Sequence, residues 1–284
     1  MPPPNRLGRR LPVSCSANLE QRRTCGPLRW RPAGPTVLHV TQDEAWQLAD
    51  EAELLQHCAP IFVLPSPGAL PEAIEHNATV ALVSTGQRTL LVTTCHIWDA
   101  YLAELARAPA TILAIAFVKS SSQPIQLGAD RLIDSDRDLD LAVFDAAPGN
   151  WNLGSKRFHQ PERWPIPTAK HGSPVGFVGF PTPKRPAQGA GGEFIHSAYR
   201  LSATSASPRR MVLGAGQSRR LLHDNHGQMV PAMRMIGLSG SPAYARSRTG
   251  VFTLTGFIQM AGSSEDAIHL THAAYLNPDG TLCR

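Results

Sequence analysis

About one residue in six of this chain is proline or glycine, 25 and 23 of 284, and that punctuation limits the length of any regular element. Proline in a helix interior removes a hydrogen-bond donor and clashes with the preceding turn, and glycine carries a large entropic cost there. The composition therefore favours many short elements joined by turns, which leans towards β structure. At 284 residues the chain holds one large domain or two small ones, either with room for a real core. Hydrophobic residues at 42% and charged residues at 17% exclude both an acidic disordered chain and a Glu/Lys/Leu coiled coil.

Along the chain, residues 1–36 read as a flexible, Arg- and Pro-rich tail, and residues 37–73 as an extension with one helix. Thr41 and Glu44 form a capping box, and Ala45, Leu48, Ala49, Ala52 and Leu55 follow as one apolar stripe, so a helix is expected over 41–58. After Pro65-Ser66-Pro67-Gly68 the periodicity becomes that of strands. Ala78–Thr85 and Arg88–Thr94 flank Gly86-Gln87 as a hairpin, Ile97–Arg107 looks helical, and Thr111–Val118 and Leu139–Phe144 are strand candidates. Others are Pro174–Phe180, Phe194–Ala203, Arg209–Leu213, Val251–Met260 and Ala267–Ala273. Such spacing points to an all-β barrel or sandwich rather than βαβ units.

The formal charge of +5 raises the question of nucleic acid, and its location answers it. Up to position 31 seven arginines face the single acid Glu20, a local +6, so the remainder of the chain carries −1. The body has no basic surplus for phosphates, and no nucleic-acid partner is expected for the core. Cys15, Cys25, Cys58, Cys95 and Cys283 are an odd set without CxxC spacing, which argues against a zinc knuckle and a disulfide scaffold. No signal-peptide run and no stretch of about 18 apolar residues is found. A cytoplasmic protein without a membrane partner is expected.

Gly237-Leu238-Ser239-Gly240-Ser241-Pro242 is the most informative hexapeptide. A serine between glycines on a tight turn exposes its hydroxyl while neighbouring backbone N–H groups converge, as an oxyanion hole requires. Serine alone is a weak nucleophile and needs a base and a group to orient the base. His96, at the end of the Leu90–Cys95 strand, and Asp140, opening Asp140-Leu141-Ala142-Val143, stand upstream in the order His, Asp, Ser, at separations of 44 and 99 residues.

With these residues in view, the sequence resembles the trypsin-like serine peptidases of the chymotrypsin fold. Thr93-Thr94-Cys95-His96 is similar to that family's Thr-Ala-Ala-His, and Gly237–Pro242 to its Gly-Asp-Ser-Gly-Gly-Pro. The resemblance covers roughly residues 74–280, with support from Val175–Pro181 and Thr255–Ile258. It implies two packed six-stranded Greek-key β-barrels, residues 74–170 and 171–284, with the site between them. Ser239 would be the nucleophile, His96 the base and Asp140 the orienting acid. Asp138 is the rival for the acid, and Asp140 is preferred because Leu141-Ala142-Val143 matches the family's buried strand. Gly237 and Ser239 would supply the oxyanion hole. Met233 would lie at the base of the specificity pocket and Gln259-Met260-Ala261 along the substrate-pairing edge. No metal or cofactor is implied, and the partner is a peptide or protein substrate.

Three departures matter. Leu238 replaces the Asp that pairs with a new N-terminus in secreted relatives, Ile97 follows His96 where those relatives carry Cys, and Ser241 replaces Gly. Ile97 is consistent with a reducing compartment, whereas Leu238 and Ser241, together with the added terminal helix, leave open a second reading, a catalytically silent protease-fold scaffold that binds or signals. Other signals carry less. Gly149–Lys156 reverses the Lys and Ser of a phosphate loop, and Asp134, Asp136, Asp138 and Asp140 lack the glycine of a calcium loop. His223/His226 and His269/His272 lack a third zinc ligand and read as surface or loop histidines, and Asn77-Ala78-Thr79 is a glycosylation sequon by spelling alone. The Met233 assignment predicts cleavage after uncharged, medium-sized side chains; a peptide-library profile dominated by Arg or Asp would exclude it.

Overall fold

A computed structural model describes residues 50–69, 76–117, 124–146, 151–181, 196–214, 221–224, 237–247, 250–261 and 267–284. Residues 50–55 are helical, the described end of the helix expected over 41–58. The chain does not stay helical to Cys58, which instead starts a strand.

The first sheet contains β1 (Cys58–Leu64), β2 (Asn77–Ser84), β3 (Thr89–Thr93), β4 (Ile112–Ile115), β5 (Ile125–Leu127), β6 (Leu132–Asp136) and β7 (Leu141–Asp145). They pair antiparallel in the order β5-β4-β1-β2-β3-β7-β6. The expected hairpin joins β2 to β3, with Gly86 at φ 82° and Thr85 Oγ1 accepting the Gln87 and Arg88 amides. Between β3 and β4 runs α1 (Cys95–Arg107), whose Ile97, Trp98 and Tyr101 are buried against the sheet, Trp98 edge-on to Phe144 at 5.3 Å. It ends before Pro109, which disfavours helical backbone at Ala108.

The second sheet contains β8 (Pro174–Gly179), β9 (Ser197–Ala206), β10 (Arg210–Gly214), β11 (Leu221–Asp224), β12 (Pro242–Arg246), β13 (Phe252–Ala261) and β14 (Ala267–His272). Its order is β10-β14-β13-β12-β8-β9-β11, and an added β9–β10 pairing closes six strands into a barrel with β11 attached to β9. The expectation of two six-stranded barrels is thus corrected. One sheet is a closed six-stranded barrel. The other is an open, curled seven-stranded half-barrel whose end strands β5 and β6 do not pair with each other among the described residues.

Two further readings change. The sequence puts Cys58–Leu64 in the N-terminal extension, yet as β1 it lies in the middle of the first sheet. All seven of its residues are buried, so the alternation that betrays a half-exposed strand is missing. His272, read as a surface or loop residue, is a buried member of β14 whose Nε2 lies 3.0 Å from the Ser207 carbonyl oxygen. Asn77 of the sequon is also buried, in β2.

The two sheets share a core. Val83, Val92, Leu141 and Val143 of the first pack with Val178, Tyr244, Leu254 and Phe257 of the second, and Leu54 of the helical segment joins them. A polar cluster borders this core. His57 and His159 meet edge-on at 5.1 Å, His159 meets Tyr244 at 4.9 Å, and the buried Lys156 donates to the Leu55 carbonyl oxygen at 2.6 Å. Burial lowers the basicity of Lys156 and His57. For His159, burial, followed by the charges of His57 and Arg157, pushes the imidazole down to about 4.

A histidine held neutral in this way contributes stability above its ordinary titration near 6.5 and loses it as the pH falls from there towards 4. Urea unfolding at about pH 7.5 and about pH 5 is expected to show the wild type losing on the order of 2 kcal/mol. His159→Gln should lose clearly less. Equal losses in the two proteins would assign the acid sensitivity to another group.

Candidate active site

His96 is the second residue of α1, immediately past β3, and Asp140 closes the tight turn that leads into β7. These positions bring the two together. Asp140 Oδ2 lies 2.9 Å and Oδ1 3.1 Å from His96 Nδ1, and Oδ1 also accepts the His96 backbone amide at 3.0 Å. The carboxylate therefore satisfies one of the helix N–H groups left without an intrahelical acceptor, at the positive end of the helix dipole. A carboxylate only accepts, so the shared proton sits on Nδ1 and leaves Nε2 as the accepting nitrogen of the neutral ring, the one a base would use. Asp138, the rival acid, is exposed, and its carbonyl takes a hydrogen bond from Arg210 at 3.0 Å.

Asp140 itself adopts φ 51°, in the left-handed region that non-glycine residues seldom occupy. Its turn is held on several sides. Asp136 caps the Leu139 amide at 2.9 Å, and Arg137 forks onto Asp99 of α1 at 2.9 and 3.0 Å. From the closed barrel, the Leu139 carbonyl accepts Thr271 Oγ1 at 2.7 Å and the side-chain amide of Gln259.

Ser239 lies across the junction between the sheets. Its carbonyl accepts the amide of Thr79 in β2 at 2.8 Å, and Thr79 Oγ1 donates to the Gly237 carbonyl at 2.9 Å and accepts the Phe180 amide at 3.1 Å. The residues after it pair with β13, Gly240 N–H to the Ile258 carbonyl at 2.6 Å and Ile258 N–H to the Ser241 carbonyl at 2.9 Å. Gly237 and Gly240 have φ 95° and 85°. Among the described residues the amides of Gly237 and Ser239 have no intramolecular acceptor. Leu238 points into the barrel core, and Ser241 Oγ is buried without a hydrogen-bond partner among the described residues.

The three residues are not joined in a hydrogen-bonded relay here. His96 Nε2 lies 3.3 Å from Thr94 Oγ1, and no hydrogen bond links it to Ser239 among the described residues. The imidazole is 46% exposed, so solvent surrounds much of its free edge. The preceding Cys95 does not compete as a nucleophile: burial, then the nearby Asp99 and Asp140 carboxylates, pushes its thiol up to about 11.

The pocket residues fare differently. Gln259 turns its side chain inward to the Leu139 carbonyl and is only 5% exposed. Met260 and Ala261 continue β13 opposite His269 and Ile268 of β14, with side chains outside the described set. Met233 lies outside the described residues. The contributions of Thr79 and Thr271 went unread in the sequence. The available signal was a polar residue within an otherwise apolar, buried strand.

The sequence matches no protein-family model and no curated protein. The fold has solved counterparts. Human heparin binding protein aligns at TM-score 0.50 and 10% identity, covering 79% of this chain and 88% of that one. An atomic-resolution structure of HBP aligns at 0.48 and 12% identity, covering 79% and 88%. The thermostable serine protease AL20 from an extremophilic microorganism aligns at 0.45 and 11%, covering 78% and 92%. The chain has a chymotrypsin/trypsin-like serine-protease fold.

Gly240 tests the junction. A Cβ there would lie 2.0 Å from the Thr79 carbonyl oxygen and 2.8 Å from Thr93 Oγ1, whereas Gly68, also at φ 85°, has nothing within 4 Å. Gly240→Ala is expected to cost at least about 3 kcal/mol and Gly68→Ala about 1 kcal/mol in denaturant unfolding. Similar costs would show that the close approach of the sheets is not what requires glycine.

Proposed function

We propose that the protein is a serine endopeptidase that cleaves peptide bonds through an acyl-enzyme. The observation that carries this is the His96–Asp140 pair, with Nδ1 fixed by the carboxylate, in a protease fold that presents Ser239 between two positive-φ glycines. In the reaction, His96 turns from Thr94 to Ser239. Ser239 Oγ attacks the acyl carbon as Nε2 takes its proton, and Asp140 stabilises the imidazolium. The amides of Gly237 and Ser239, which have no acceptor among the described residues, receive the oxyanion, at about 3 kcal/mol per donor. His96 then protonates the leaving amine, and water enters by the reverse sequence to release the acid.

On this reading Met233, Met260 and Ala261 form the specificity surface, and no metal or cofactor is needed. The protein acts in the cytoplasm, a placement supported by Ile97 after His96 and by Cys58, Cys95 and Cys283 all being free thiols. The residues beyond 31 carry a net charge of −1, so the body of the protein has no basic surplus for a polyanion such as heparin.

A second reading, a catalytically silent scaffold, is favoured by one observation, the placement of Nε2 against Thr94 rather than Ser239. Labelling with a fluorophosphonate probe separates the two, since the probe needs a serine activated by its base. Wild-type protein is expected to label and Ser239→Ala and His96→Ala to lose nearly all labelling. A folded wild-type protein that does not label would support the scaffold.

A further inference from the structure

The turn carrying Asp140 belongs to the open sheet, yet the carbonyl just before Asp140 is held by the closed barrel. Leu139 O accepts the Gln259 side-chain amide from β13 and Thr271 Oγ1 from β14, the latter at 2.7 Å. All three residues are buried, Leu139 to 3%, Gln259 to 5% and Thr271 to 0% exposure. A carbonyl oxygen has two lone pairs, and both are used here, by donors from two adjacent strands. Such a pair fixes the direction of the carbonyl as well as its position.

That direction sets the backbone of the catalytic acid. The Leu139 carbonyl and the Asp140 amide form one peptide plane, and the amide in turn bonds to the Arg137 carbonyl at 3.3 Å. Rotation of this plane changes φ of Asp140, which sits at the unfavourable 51°. The carboxylate is aimed at His96 Nδ1 only while that backbone conformation persists. Gln259 and Thr271 hold it there from the other sheet.

We infer that Gln259 and Thr271 are positioning residues for Asp140, so that the tautomer and orientation of His96 are set by the docking of the closed barrel onto the open sheet. The inference rests on the proposed roles of His96 and Asp140, but not on Ser239 being active. Gln259 thereby has an inward role in place of the substrate-edge role its sequence position spells. Neither residue touches the reacting atoms.

The test is the Nδ1 proton resonance of His96 by NMR in 15N-histidine-labelled protein, alongside kinetics. In Thr271→Val, and separately in Gln259→Leu, that resonance is expected to lose its hydrogen-bonded shift, because a misplaced carboxylate no longer faces Nδ1. In an active enzyme kcat should fall about 10- to 100-fold with KM nearly unchanged. Thr271→Ser keeps the hydroxyl and should give the wild-type resonance. An unchanged Nδ1 resonance in folded Thr271→Val and Gln259→Leu would overturn the inference. If either fails to fold, Thr271→Ser and Gln259→Asn decide instead: the first should give the wild-type resonance and the second a displaced one, and any other pattern would also overturn it. Variants that give these shifts, in a protein whose wild type never labels with fluorophosphonate, would leave the positioning intact and remove the peptidase reading.

Discussion

Thr79 is the point at which the two sheets are tied into one object. Its amide donates to the Ser239 carbonyl, its hydroxyl donates to Gly237 and accepts from Phe180, and its carbonyl accepts Thr93 Oγ1. The residue is 0% exposed, and all its polar atoms are engaged. Buried polar groups are costly when unpaired, so this arrangement tolerates only one relative placement of β2, β8 and the 237–240 turn. The missing side chain of Gly240 lets that turn come close enough to make it.

A matching brace runs the other way. The open sheet holds the Ser239 turn through Thr79, while the closed barrel holds the Asp140 turn through Gln259 and Thr271. Each sheet thus orients a residue that belongs to the other. The shared apolar core of Val83, Val92, Leu141, Tyr244 and Phe257 supplies the adhesion, and the hydrogen bonds supply the register.

Much of this was legible in the sequence because it is local. The Gly86-Gln87 hairpin, the helix after His96, the Gly-flanked Ser239 and the order of His96, Asp140 and Ser239 are short-range patterns, and the structure has the first two as read and joins His96 to Asp140. Contacts between distant segments account for the features that stayed hidden. β1 has no alternation because both of its faces are covered, and barrel closure depends on β9 meeting β10 and on the ends of the other sheet staying apart. Gln259 spells a substrate-edge residue in the family pattern, and only the tertiary position of Leu139 turns it inward. Thr79 and Thr271 spell ordinary strand threonines.

The failure of the first sheet to close has a consequence for how this molecule behaves in a crowd. A sheet with free ends offers unpaired backbone to any passing strand, the usual beginning of aggregation. Here β5 is only three residues long, and β6 carries Asp134 and Asp136, to which Arg284 bonds at 2.9 and 3.4 Å. A short rim on one side and a charged, capped rim on the other make a poor template for another chain. The sheet can stay open without becoming sticky.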